Sequence, residues 1–121
     1  MTPSHSYLAV FTGGKTRPRS AAWNALTEPQ RRAREQEGIA ARQSWSEQQR
    51  GAIIARGGPL GKTKRVDPQG SRDITNQRAA CTVVRAPSLD AAARMFERHP
   101  HFSLFPGEAI EVMPILPIPG A

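Results

Sequence analysis

Ala80-Cys81-Thr82-Val83-Val84-Arg85-Ala86-Pro87-Ser88-Leu89-Asp90-Ala91-Ala92 decides the fold. Its first half, residues 80–85, is apolar and partly β-branched, and it reads as the clearest strand in the chain. Pro87 breaks that strand and Ser88 is placed to cap a helix. Leu89, Ala92, Ala93 and Phe96 then recur at i, i+3, i+4 and i+7, the spacing of one helix face. Asp90 in the first turn and Arg98 in the last suit the helix dipole, and Pro100 stops the helix. A loop through Pro106-Gly107 leads to a final strand over 109–113, with Ile110 and Val112 on one side and Glu111 and Met113 on the other.

Upstream, Ser6 to Thr12 reads as a buried strand ending at Gly13-Gly14. Lys15 to Ser20 is a basic loop, and Ala21 to Leu26 a short helical turn carrying Trp23. Thr27 and Gln30 form a capping box, with Pro29 in the first turn. A helix is expected from Glu28 to Gln49, with Ala33, Ala41, Trp45 and Ala52 as its apolar stripe and an interruption at Gly38. Residues 52–55 form a short strand running into Gly57-Gly58-Pro59. Lys62 to Val66 and Arg72 to Thr75 form a hairpin around Asp67-Pro68-Gln69-Gly70, which has the residues of a type I turn.

The order strand, helix, strand, hairpin, strand, helix, strand is the β-α-β-β-α-β pattern of the ferredoxin-like fold with an extra hairpin. The fold class is α+β, and residues 1–121 make one domain. Both helices would cover one face of an antiparallel sheet. The strands are apolar on both sides: Leu8 and Val10 oppose Tyr7 and Phe11, and Val83 opposes Val84. A face of that kind needs a cover, and a homodimer with two sheets packed face to face supplies it. The tail 114–121 holds three prolines and is expected to be extended, free to dock on another surface.

Gly58-Pro59-Leu60-Gly61-Lys62-Thr63, the passage Val83 to Ala92, His99-Pro100-His101-Phe102 and Ile110-Glu111-Val112-Met113-Pro114 together resemble the YCII-related domain family. The likeness spans most of the chain, with Tyr7 to Phe11 matching the family's first strand. The resemblance implies a ferredoxin-like dimeric α+β barrel. For some members it implies action on small molecules through a His–Asp pair in the cleft between helices and sheet. In that pattern the histidine lies near the start of the first helix, but Glu28 to Ala41 contains none. The family's Asp-Gly-Pro-Phe motif is also absent. Arg72-Asp73-Ile74-Thr75-Asn76 stands in its place, so Asp73 is the positional match for the acid.

Bulk properties narrow the function classes. The 121 residues carry 17 Lys and Arg against 10 Asp and Glu, a net charge of +7. The basic residues are scattered and aromatics are only 6%, which weighs against a nucleic-acid surface with stacking platforms. No apolar run approaches the roughly 18 residues of a membrane helix. The N-terminus has no secretory pattern, and the single cysteine, Cys81, suits a reducing cytoplasm as a small buried hydrophobe. Gly61-Lys62-Thr63 lacks the earlier glycine and the following helix of a phosphate loop. His99 and His101 lack the further ligands of a metal site, so neither metal nor cofactor is expected. The plain readings are that His99 rests at a helix C-terminus as a cation and that His101 lies in a surface loop.

These observations favour a cytoplasmic homodimer that binds a small organic ligand, anionic in character, between the sheet and the long helix. His99, His101 and Asp73 are the candidate acid/base residues. Tyr7, Trp45, Lys62, Arg65 and Asn76 are the candidate ligand contacts. A noncatalytic interaction module docking through the tail is the alternative from another class, with nonspecific nucleic-acid binding behind it.

Overall fold

A computed structural model describes residues 5–13, 18–102 and 107–120, with the backbone alone for 18–20. The chain runs β1 (His5–Thr12), α1 (Pro18–Asn24), α2 (Glu28–Gln48), β2 (Ile53–Pro59), β3 (Thr63–Asp67), β4 (Gly70–Ile74), β5 (Arg78–Ala86) and α3 (Leu89–Arg94). A 3₁₀ turn (Pro100–Phe102) and β6 (Ala109–Pro114) complete it. β2, β5, β1 and β6 form a four-stranded sheet in that order, while β3 and β4 form a separate two-stranded hairpin. Every pairing is antiparallel. This is the expected ferredoxin-like order with its extra hairpin.

Register assigns the two faces. Tyr7, Ala9 and Phe11 of β1 stand opposite Val84, Thr82 and Ala80 of β5, and opposite Pro114, Val112 and Ile110 of β6. On this face Tyr7, Ala9, Phe11, Ala80, Val84 and Ala86 pack with Trp45 from α2 and with Ala92 and Phe96. Leu8 and Val10 pair with Val83 and Cys81 on the opposite face, where the helix-side core has no member.

Local chemistry explains the helix boundaries. Thr27 Oγ1 accepts the Gln30 amide at 3.3 Å, and Gln30 Oε1 accepts the Thr27 amide at 2.8 Å, so the capping box is formed. Gly38 does not interrupt α2. It is buried, two turns before Trp45 on the same stripe, whereas Ala33 is exposed. α3 is shorter than its periodicity suggests. The amides of Met95, Phe96, Glu97 and His99 bond three residues back, to Ala92, Ala93, Arg94 and Phe96. This tightening places residues three apart one above the other, which sets Phe96 and His99 on one side. The Lys15–Arg17 part of the expected basic loop and Pro106 lie outside the described residues, and Pro18–Ser20 is helical.

β2 extends beyond the expected 52–55 and is bulged twice against β5. Ile53 pairs with Val84, Ala55 with Val83, Gly58 with Cys81 and Pro59 with Ala80. Two residues, Arg56 and Gly57, therefore oppose Thr82 alone, the signature of a bulge. Gly57 has φ +60°, and a Cβ there would strike the Cys81 carbonyl. The Thr82 hydroxyl donates to the Arg56 carbonyl, which satisfies an acceptor that the ladder has lost. Among the described residues no helix is long and apolar enough to cross a membrane.

Gly57→Ala combines a left-handed residue with a backbone clash. It is expected to lower stability by at least about 2 kcal/mol. Thr27→Ala, which removes only a cap, is expected to cost about 1 kcal/mol. Urea unfolding followed by tryptophan fluorescence checks the ranking.

Candidate functional site

A cleft of about 350 Å³ opens between α2 and the β2–β5 side of the sheet. Phe11, Trp45 and His99 form its inner wall, Arg42 and Ser46 come from α2, and the bulged Arg56–Pro59 segment forms the rim. Arg42 and Ser46 reach the cleft because they flank Trp45 on the buried side of α2.

His99 organises the inner wall. It is 2% exposed and is one of the two largest fully buried side chains. Its ring lies edge-on to Phe11 at 4.8 Å and to Trp45 at 4.7 Å between centroids. The Trp45 indole N–H donates to the Met95 carbonyl at 3.0 Å, which fixes α2 against the end of α3. His99 Nδ1 accepts the His101 backbone amide at 3.0 Å. A neutral ring with Nδ1 as acceptor carries its proton on Nε2. Burial pushes the His99 pKa down to about 4, helped by the nearby Arg42 guanidinium and by His101. His99 is thus a neutral donor at physiological pH, not the cationic helix terminus that its sequence position suggests. Burial also lowers the pKa of Arg42, which stays charged as every guanidinium does.

His101 is buried as well, at 5% exposure, rather than lying in a surface loop. Its Nε2–H donates to the Thr12 carbonyl at 2.8 Å, and its ring meets Phe11 at 5.2 Å. Gly107 packs so closely on the His101 ring that no Cβ would fit.

The sequence-derived candidates do not gather at one place. His99 and Trp45 meet in the cleft, with His101 directly behind them. Asp73 does not join them. Its side chain is 84% exposed on the hairpin and is bonded to Lys64 Nζ at 2.6 Å. Lys62, Asp73 and Asn76 border a different, open cavity of about 880 Å³ beside the hairpin. Asn76 is a turn-former there, donating to Thr63 Oγ1 at 2.9 Å and accepting the Arg78 amide at 2.8 Å. Arg65 pairs with Asp67 at 3.3 Å. Tyr7 is buried in the core. Cys81, read as a buried hydrophobe, is only half-buried. Sequence reasoning missed Arg42, Ser46 and Arg56. Arg42 was legible in principle, three residues before Trp45 on the same helix face. Arg56 was not, because its position depends on the bulges.

Among the described residues no carboxylate lines the cleft. Among the described residues no group of three or more His, Cys, Asp or Glu side chains could hold a metal ion. The cleft offers a cation, a neutral N–H donor and aromatic walls, a set suited to a planar ligand with negatively charged oxygen.

No family model and no curated protein matches the chain. Among solved structures, it is similar to the 5-chloro-2-hydroxyhydroquinone dehydrochlorinase of Burkholderia phenoliruptrix AC1100, determined in complex with 2,5-dihydroxybenzoquinone. The TM-score is 0.53 at 20% identity, over 89% of this chain and 90% of that one. The likeness is one of fold.

The His99 environment has a pH consequence. The folded protein holds the ring neutral down to about pH 4, whereas the unfolded chain takes up a proton near 6.5. This contribution to stability is full above 6.5 and falls as the pH drops from 6.5 toward 4. His99→Asn, whose Oδ1 can still accept the His101 amide, is expected to flatten that slope. Chemical denaturation at a series of pH values measures it.

Proposed function

We propose that the protein binds a small, planar, anionic organic ligand of phenolic or quinoid type in the cleft between α2 and the sheet. The observation that carries this reading is the meeting of Arg42, Trp45 and the neutral His99 around one cavity. Arg42 attracts the negative charge, Trp45 and Phe11 present ring surfaces, and His99 Nε2–H is the donor for a ligand oxygen. The fold neighbour's complex with 2,5-dihydroxybenzoquinone supplies the chemical class to test. The chemistry open to the site is stabilisation of an enolate or phenolate oxygen by the Arg42 guanidinium and a neutral N–H donor. His99 is the candidate for that role and His101 its positioning partner. Asp73 belongs to the hairpin.

At a concentration 100 times its Kd, such a ligand stabilises the fold by about 2.7 kcal/mol, which raises Tm by several degrees. 2,5-dihydroxybenzoquinone is therefore expected to raise the melting temperature. Arg42→Met is expected to weaken binding at least tenfold, and His99→Asn to abolish it. A melting curve indifferent to the quinone would refute the reading.

The protein also acts, in our reading, as a cytoplasmic homodimer. Leu8, Val10 and Val83 lie on the sheet face away from the helices, with Val10 buried and Leu8 and Val83 half-buried, and in this reading a second copy packs on that face. The tail favours a second reading, a noncatalytic interaction module. Ile115, Leu116 and Ile118 are exposed, Leu116 at 74%, although the Ile115 amide is bonded to the Ser6 carbonyl at 2.9 Å. Sedimentation separates the two. Val83→Glu is expected to yield a monomer, while a chain ending at Met113 stays dimeric and keeps its ligand. Loss of the dimer only in the shortened chain would favour the docking tail.

A further inference from the structure

A second cavity, of about 510 Å³, lies beside the cleft between the C-terminal half of α2 and the start of β2. The two share Ser46 and Arg56 as walls. An apolar cavity of about 150 Å³ is enough for benzene. A single ring therefore leaves room in the 350 Å³ cleft, and the outer cavity adjoins it at the shared Ser46 and Arg56.

Arg56 is at this junction because β2 is bulged. In an unbroken ladder running back from the Pro59–Ala80 pair, Arg56 would oppose Val83 on the sheet face away from the helices. The extra residue sets it opposite Thr82, on the helix-covered face. Moving one residue in register moves a side chain to the other face, and bulges commonly re-aim a side chain at a functional site. The position is held at two points: by the Thr82 hydroxyl on the Arg56 carbonyl and by Gly57, where only glycine fits.

Charge follows the same geometry. Of the charged residues in the outer cavity, Glu47 and Arg50 pair with one another at 3.0 Å. No carboxylate among the described residues pairs with the Arg56 side chain. The junction of the two cavities thus has, in Arg56, a cation without a carboxylate partner, in addition to the Arg42 guanidinium that lines the cleft.

We propose that Arg56 is a specificity residue, and that it selects ligands whose ring carries a carboxylate on a short arm. The inference rests on the cleft reading given above. A planar guanidinium matches a carboxylate in a two-point fork. One such cation balances a monoanionic group, whereas a phosphate dianion calls for more positive charge than the junction provides. In this arrangement the ring oxygen meets Arg42 and His99, and the arm lies along the shared wall to Arg56.

Calorimetric titration of the full chain at low salt tests this with 2,5-dihydroxyphenylacetate and its methyl ester, which share the ring and differ in the charge of the arm. The native protein is expected to bind the acid about tenfold more tightly than the ester. Arg56→Met should remove that preference while leaving ester binding and Tm unchanged, and Arg56→Lys should restore part of it. Equal binding of acid and ester by the native protein overturns the proposal, as does an Arg56→Met variant that retains the preference or weakens both compounds alike. If neither compound binds but 2,5-dihydroxybenzoquinone does, the role of Arg56 fails and the cleft reading stands. If the quinone fails too, both fall.

Discussion

The imidazole of His99 is packed between the rings of Phe11 and Trp45, and its Nδ1 is engaged by the backbone two residues on. That arrangement ties three elements together: Phe11 from the central strand, Trp45 from the long helix, and the turn that leaves α3. A buried imidazole with one satisfied nitrogen is best kept neutral, because a charge there would lack both water and a counterion. The nearby Arg42 reinforces that preference. One packing arrangement therefore closes the core and fixes the protonation state that the cleft presents.

The remainder of the cleft comes from an irregular strand. A regular β2 would have covered the edge of β5 and sent its alternate side chains away from the helices. Two bulges against β5 instead turn Arg56 toward α2. Gly57 permits the required backbone, and Thr82 replaces a lost ladder bond with a side-chain one. The polarity of the site thus has a separate origin from its aromatic wall. The wall is a product of core packing, whereas the rim is a product of strand geometry.

Much of the architecture was legible in the residues. The capping box at Thr27 and the strand with its capped helix at Ala80–Ala92 behaved as local rules predict, since each depends on neighbours within a few residues. The Asp67–Gly70 turn closed its hairpin for the same reason: the Asp67 carboxylate accepts the Gln69 amide at 2.9 Å. The site was less legible. Trp45 and His99 could be singled out, but a histidine after a helix reads as solvated until the tightened 95–99 turn carries it inward. Asp73 enters as the acid only through the family resemblance, as the residue that stands where the family's motif falls. On the hairpin it makes an exposed pair with Lys64, of a kind worth at most about 1 kcal/mol.

By itself, the sequence determined the α+β class, the order of the strands and helices, and the apolar character of both sheet faces. These follow from periodicity, caps and turn residues, all of them short-range. Only the tertiary structure decided that His99 is neutral, that Arg42 and Arg56 line one cleft, and that the hairpin keeps Asp73 apart from the histidines. Each of those depends on burial or on the registry between distant strands. Neither is encoded in local spacing, because a single inserted residue in β2 exchanges one face of the strand for the other.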